Sequence, residues 1–295
     1  FLSRYHRYFK RRLRDWVLAY AEHLSIAQNK LLGSKTKNLL FKLPLGKIGL
    51  QLTKTIANDT GINHRALRNK YHAQPNQVVL LPDIFTQLYE PDILRAVLDI
   101  LAFLDYSVYL LPLKPSGISL YHSGLLGSFK RCALKNAKRL SPYLEQKATI
   151  LGIEPSTTLC FQDEYQHIIR QNVQVQLLED WLKNILKDRA PMHANLKNTD
   201  KRYFLFTHCH AQALASHHQN SPWSAIFKHF GLELEPISSG CCGMAGSYGL
   251  LTENQANSQA LYRQGWETKM QKLQSKQSHF LATGYSCREQ ARKHG

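Results

Sequence analysis

The stretch Ser238–Gly249 reads S-S-G-C-C-G-M-A-G-S-Y-G and sets two adjacent cysteines, Cys241 and Cys242, among four glycines. Neighbouring Cα atoms lie only ~3.8 Å apart, closer than an ordinary disulfide accepts, so these thiols are poorly placed to bond each other. They are well placed to grip one metal ion or cluster from two directions. The glycines tolerate positive φ, and their N–H groups can point at sulfide or thiolate. Two more cysteines, Cys209 and Cys287, follow segments that read as strands. Carboxyl ends of strands are where open α/β sheets bind ligands. Cys209, Cys241, Cys242 and Cys287 are therefore the expected metal ligands. Four thiolates complete a ligand set for a [4Fe-4S] cluster or for tetrahedral Zn²⁺, and both remain open at this point. Gly240, Gly243 and Gly246 are expected to line the bound group. His208 and His210 flank Cys209, and either could ligate or donate a hydrogen bond to a sulfur. His122, at the end of a predicted strand, could face the same site. Cys132 and Cys160 sit in other patterns and are expected to be packing residues. The loop lacks the G-K-[ST] ending of a phosphate loop, and thiols occupy the turn that a dinucleotide fingerprint would need.

These residues need a scaffold, and the pattern supplies one. The predicted strands are Val78–Leu81, Val108–Leu111, Ile118–Tyr121, Thr149–Ile153, Tyr203–Phe206, Leu232–Ile237 and Phe280–Ala282. Between them run helical patterns at 92–104, 123–140, 163–186, 211–230 and 251–273, with a closing helix from Cys287. This alternation predicts an α/β fold with parallel sheets. It also predicts an internal repeat. K-P-S-G (114–117) and E-P-S-T-T (154–158) follow strands in the first half as G-C-C-G (240–243) and G-Y-S-C-R (284–288) do in the second. The expected divisions are a basic arm and connector over 1–76, one repeat over 77–190 and a cysteine-bearing repeat over 191–295.

The chain has 295 residues and a formal net charge of +17. Residues 1–72 hold 15 Lys/Arg against Asp15, Glu22 and Asp59, so most of the excess lies there. Apolar residues from Leu13 to Leu31 recur at three- and four-residue spacing, which predicts one long basic helix ending near Gly33. Such an arm could dock on an acidic partner domain or on the anionic face of a membrane. It carries no nucleic-acid motif beyond charge, which argues against nucleic acid as a partner. No apolar run reaches the ~18 residues of a membrane span. Six cysteines, clustered rather than spread, suit thiolate ligation in a reducing, cytoplasmic compartment. A chain that starts with Phe1 is expected to be a piece or a processed form.

The loop C-C-G-M-A-G-S-Y-G, with T-H-C-H-A-Q-A-L (207–214) before it and A-T-G-Y-S-C-R (282–288) after it, resembles the cysteine-rich CCG domain. That domain occurs in the iron–sulfur component of glycolate oxidase, in heterodisulfide reductases and in FAD-linked D-lactate dehydrogenases. The chain is similar to the C-terminal region of FAD and iron–sulfur D-2-hydroxyacid dehydrogenases of the bacterial D-2-hydroxyglutarate type. L-P-D-I-F-T (81–86), Y-H-S-G-L-L-G-S-F-K-R (121–131) and D-E-Y (163–165) extend the resemblance. It implies a FAD domain and a ferredoxin-like domain as partners, on this chain or on separate ones, and an electron acceptor. It also implies an electron-transfer role, or a zinc-stapled docking role in its place. Ser116 and Thr157 stand where a two-cluster version would carry thiols, and Gly284 where a final C-x-x-C would begin. The resemblance thus implies one site, in the second repeat.

Overall fold

The computed structural model describes residues 2–31, 50, 62–68, 71–72, 74–171, 173–192, 201–214 and 221–294. The chain divides into two compact units, residues 1–176 and 177–295. The first opens with three helices, α1 (Leu2–Tyr8), α2 (Leu13–Ala19) and α3 (Ala21–Leu31), where the sequence predicts one. The Asp15 carboxylate accepts from the Arg12 N–H at 2.8 Å and starts α2 afresh. Tyr20, at φ −101° and ψ 16°, separates α2 from α3. The apolar stripe continues across both breaks, so periodicity alone joins what the caps divide. Most of the connector expected after α3 lies outside the described residues.

Strand β1 (Gln77–Leu81) is followed by α4 (Pro91–Phe103), β2 (Ser107–Leu110), α5 (Ile118–His122), α6 (Leu126–Glu145), β3 (Thr149–Gly152), α7 (Pro155–Gln162), α8 (Glu164–Ile169) and β4 (Gln176–Leu177). The strand order is β2-β1-β3-β4, and β1 pairs parallel with β2 and β3. A central parallel strand is covered on both faces, which is why Val78 to Leu81 are buried without alternation. Proline at the first position and Asp92 in the first turn begin α4, which buries Leu94, Val97 and Leu101. Pro142 lies inside α6. The Ser141 hydroxyl donates to Lys138 O at 3.1 Å, the acceptor that the missing proline N–H would have served. Phe129, Leu140, Phe161 and Tyr165 pack with Val79 and Ile150 into the core.

The second unit holds α9 (Leu178–Lys187), β5 (Arg202–Phe206), α10 (Cys209–Leu214), α11 (Pro222–His229), β6 (Leu234–Ile237), α12 (Gln255–Tyr262), α13 (Thr268–Leu273), β7 (Ser278–Ala282) and α14 (Tyr285–His294). Its sheet runs β6-β5-β7, and β5 pairs parallel with both neighbours. The predicted α/β class with two βα units is what the chain adopts. Three long predicted helices are shorter in the structure. Arg170, at φ 55°, ends α8 in the left-handed region. Pro222 occupies the start of α11, where a continuous helix would have lost a hydrogen bond. A π turn at 263–267 separates α12 from α13. The predicted strand at Ile118–Tyr121 is the helix α5. Among the described residues no helix is long and apolar enough to cross a membrane.

The two sheets repeat in register. Leu80 pairs with Leu110, and Leu205 with Pro236. The same distance beyond those partners, Gly117 and Gly243 both adopt φ 89°. Leu81 pairs with Gly152 as Phe206 pairs with Ala282. Counting from these pairs sets Ile84 at the place of Cys209, Pro115 and Ser116 at Cys241 and Cys242, and Thr157 at Cys287.

Candidate metal centre

All four cysteines named from the sequence lie in the second unit, at the carboxyl ends of its three strands. Cys209 begins α10 after β5, Cys241 and Cys242 lie in the loop after β6, and Cys287 is in the first turn of α14 after β7. The fold brings them together. Cys209 and Cys242 each hydrogen-bond to Cys241, and Cys242 also meets Cys287. Cys242 and Cys287 are buried in a core of Phe204, Phe206, Ile237, Met244, Tyr262 and Trp266. Cys209 is exposed.

The loop supplies the expected N–H groups. Gly243 N–H donates to Cys241 Sγ at 3.4 Å. Backbone hydrogen bonds also run from Ala245 to Cys241, from Met244 to Cys242 and from His210 to Cys209. Hydrogen bonds from Cys209 and then Cys242, with the N–H groups of Gly243 and Ala245, hold the Cys241 thiol far below its usual range. Cys209 and Cys242 are pushed the other way, first by their hydrogen bonds to Cys241 and then by burial. A metal bound at such a set of thiols would displace protons. Among the described residues, the groups of three donors lying within 4.8 Å of one another do not include these cysteines. Four thiols, backbone donors and an apolar wall fit a thiolate-held metal centre.

Comparison with known proteins places this centre in context. The chain is 31% identical to D-2-hydroxyglutarate dehydrogenase of Pseudomonas putida over 313 residues, and 32% identical to that of Pantoea ananatis over 314. Each match takes in 99% of this chain and 30% of the relative's length. A component of the anaerobic glycerol-3-phosphate dehydrogenase of Escherichia coli is 22% identical over 67% of this chain and 51% of its own. The chain is homologous to one region of the D-2-hydroxyglutarate dehydrogenases. That agrees with the resemblance carried by the CCG loop. No family model matches the chain.

The CCG loop of this homologous region is pinned by residues that its sequence does not single out. Ser258 Oγ donates to Gly243 O at 2.8 Å and accepts from Gln290 Nε2 at 2.9 Å. Trp266 Nε1 donates to Gly240 O at 3.2 Å, and its ring stacks on Phe206 with centroids 4.2 Å apart. Lys269 Nζ donates to Ser238 O. A serine, a tryptophan and a glutamine inside helical patterns carry no signal of this role in one sequence. Gly246, at φ 66°, turns the loop but is exposed.

His208 is buried, with its N–H on Thr283 Oγ1 at 2.9 Å and its Nδ1 accepting from His210 N–H at 3.3 Å. Its ring fills the space beside Gly284, where an added Cβ would lie 2.3 Å from His208 Cδ2. His122 ends α5 in the first unit, exposed, with its ring 6.2 Å from that of Tyr121. Cys160 belongs to the first unit's core and Cys132 packs against it, as expected of packing residues.

Proposed function

We propose that this chain is the iron–sulfur electron-transfer region of a FAD-dependent D-2-hydroxyacid dehydrogenase, with 2-hydroxyglutarate favoured over lactate or glycolate by the names of its relatives. The observation that carries the reading is the meeting of Cys209, Cys241, Cys242 and Cys287 at three strand ends of one sheet. Those four residues would hold a [4Fe-4S] cluster, which when bound supplies one-electron transfer between a flavin and an acceptor. The protein's own share is to hold the sulfurs still and to set their charge. Gly243, Ala245, Met244 and His210 offset thiolate charge through N–H···S bonds, which favours the reduced state. Burial of Cys242 and Cys287 excludes water from one side. Exposed Cys209 marks the side on which an electron would enter or leave. Oxidation of the hydroxyacid would belong to a FAD domain, and the flavin and ferredoxin-like domains would be this region's redox partners.

The test compares cysteine variants of anaerobically prepared protein. Cys242→Ser should lose nearly all bound iron and acid-labile sulfide, while Cys132→Ser and Cys160→Ser should keep them. Full iron in Cys242→Ser would overturn the ligand assignment.

A further inference from the structure

The first unit keeps the shape of the metal loop without its ligands. Ile84, Pro115, Ser116 and Thr157 stand where the second unit has its four cysteines, so no thiolate set can form there. Yet Gly117 holds the same φ of 89° as Gly243 and turns its loop the same way. In the second unit that turn aims N–H groups at a sulfur. In the first, the same kind of turn aims them at a carboxylate.

The acid is Glu22, from α3, which is 4% exposed. Glu22 Oε1 accepts from Ser116 N–H at 2.8 Å and from Ser116 Oγ at 2.7 Å. Glu22 Oε2 accepts from Gly117 N–H at 2.8 Å and from Ser119 Oγ at 3.2 Å. Both oxygens are thus satisfied by two backbone and two hydroxyl donors. The loop is itself fixed from behind. Tyr165 Oη donates to Ser116 O at 2.6 Å, and Asn136 Nδ2 donates to Pro115 O at 2.8 Å. Donors held in place before their acceptor arrives make a binding site, and charge-assisted bonds of this kind are the strong ones.

We propose that the first unit's loop is a carboxylate-binding site, derived from the same turn as the metal loop and filled in cis by Glu22. The carboxylate takes the place of the anionic group that the second unit's loop is built to face. It latches α3, and with it the basic arm, to the loop between β2 and α5. Of the two described acids among the first 72 residues, Asp15 and Glu22, Glu22 is the buried one. The inference rests on register and hydrogen bonds in the first unit and does not depend on what the second unit's cysteines hold.

The test is rescue by free carboxylate in the full chain. Glu22→Ala should lower the melting temperature of the first unit, by on the order of 10 °C, because four donors, three of them buried, are left without an acceptor. Sodium formate or acetate should raise it again with a saturable dose dependence, and sodium chloride at equal ionic strength should not. Glu22→Gln keeps the volume but presents an amide NH₂ to backbone donors. It should be destabilised too and gain nothing from formate. A Glu22→Ala or Glu22→Gln protein that melts with the unmodified one would overturn the proposal, as would a Glu22→Ala protein indifferent to carboxylate. Should the variants fail to fold, amide exchange in the unmodified protein still decides. Ser116 and Gly117 N–H should be as protected as the core of β1, and loop-like exchange at both would contradict the latch.

Discussion

At Gly284 the ring of His208 occupies the space that a side chain would need. The sequence marks Gly284 only as the place where a C-x-x-C would have started, and the structure sets the ring of His208 beside it. Gly284→Ala should cost about 1–3 kcal/mol through overpacking. His208→Ala in the same chain should recover most of that, so the pair should be strongly non-additive in denaturant titrations. Additive costs would show that the ring yields freely. At this scale the cysteines were legible, because adjacent thiols in a glycine loop have few other uses. His208 was legible as a residue near the site, but not as the filler of a gap, since a ring's direction depends on a turn that one sequence does not specify. Glu22 was not legible at all. Its partners lie some ninety residues away, and an acid in a basic helix looks like any solvated charge.

The loop after β6 works as an element because its turns are made at one residue and fixed by another. At Gly243 an added Cβ would meet Ser258 O at 2.1 Å, in a backbone held at φ 89°. Gly243→Ala should therefore disturb the loop by about 2–4 kcal/mol and lower the iron bound per chain. Ser258→Ala leaves Gly243 O without its donor and should cost about 1–3 kcal/mol, with a smaller loss of iron. Unchanged iron content and stability in both would mean that the loop is not held from α12. Strands were the more legible elements, since runs such as Val78–Leu81 and Tyr203–Phe206 are apolar throughout. Helix ends were less so. The Arg12–Asp15 cap, the left-handed Arg170 and the start of α11 at Pro222 interrupt patterns whose apolar period runs on. The helix α5 was missed because what starts it is Gly117 with the distant Glu22, and its short apolar run fits a strand equally well.

Among the described residues, one turn geometry is used twice, facing a cysteine sulfur in the second unit and a carboxylate in the first. The repeat was legible from loop spacing, and the register of the two sheets makes the correspondence residue by residue. The first unit also contains two thiols, Cys160 in its core and Cys132 packed against it. Burial, with the nearby charge of Glu22, pushes the Cys132 thiol up to about 12, and burial raises that of Cys160 as well. Unfolding returns both to the usual range, so their share of stability is complete below about pH 8.5 and is lost as pH rises toward the folded values. The melting temperature of the first unit should fall between about pH 9 and pH 12, and less steeply in Cys160→Ala. Equal slopes would show that these thiols do not govern it. The central claim concerns the other four cysteines. Its most direct test is to purify the chain without oxygen, measure iron, acid-labile sulfide and zinc per chain, and record an EPR spectrum after reduction with dithionite. The account requires about four irons and four sulfides with a reducible paramagnetic signal. One zinc per chain, no iron and no signal would contradict it and leave a stapled docking module in its place.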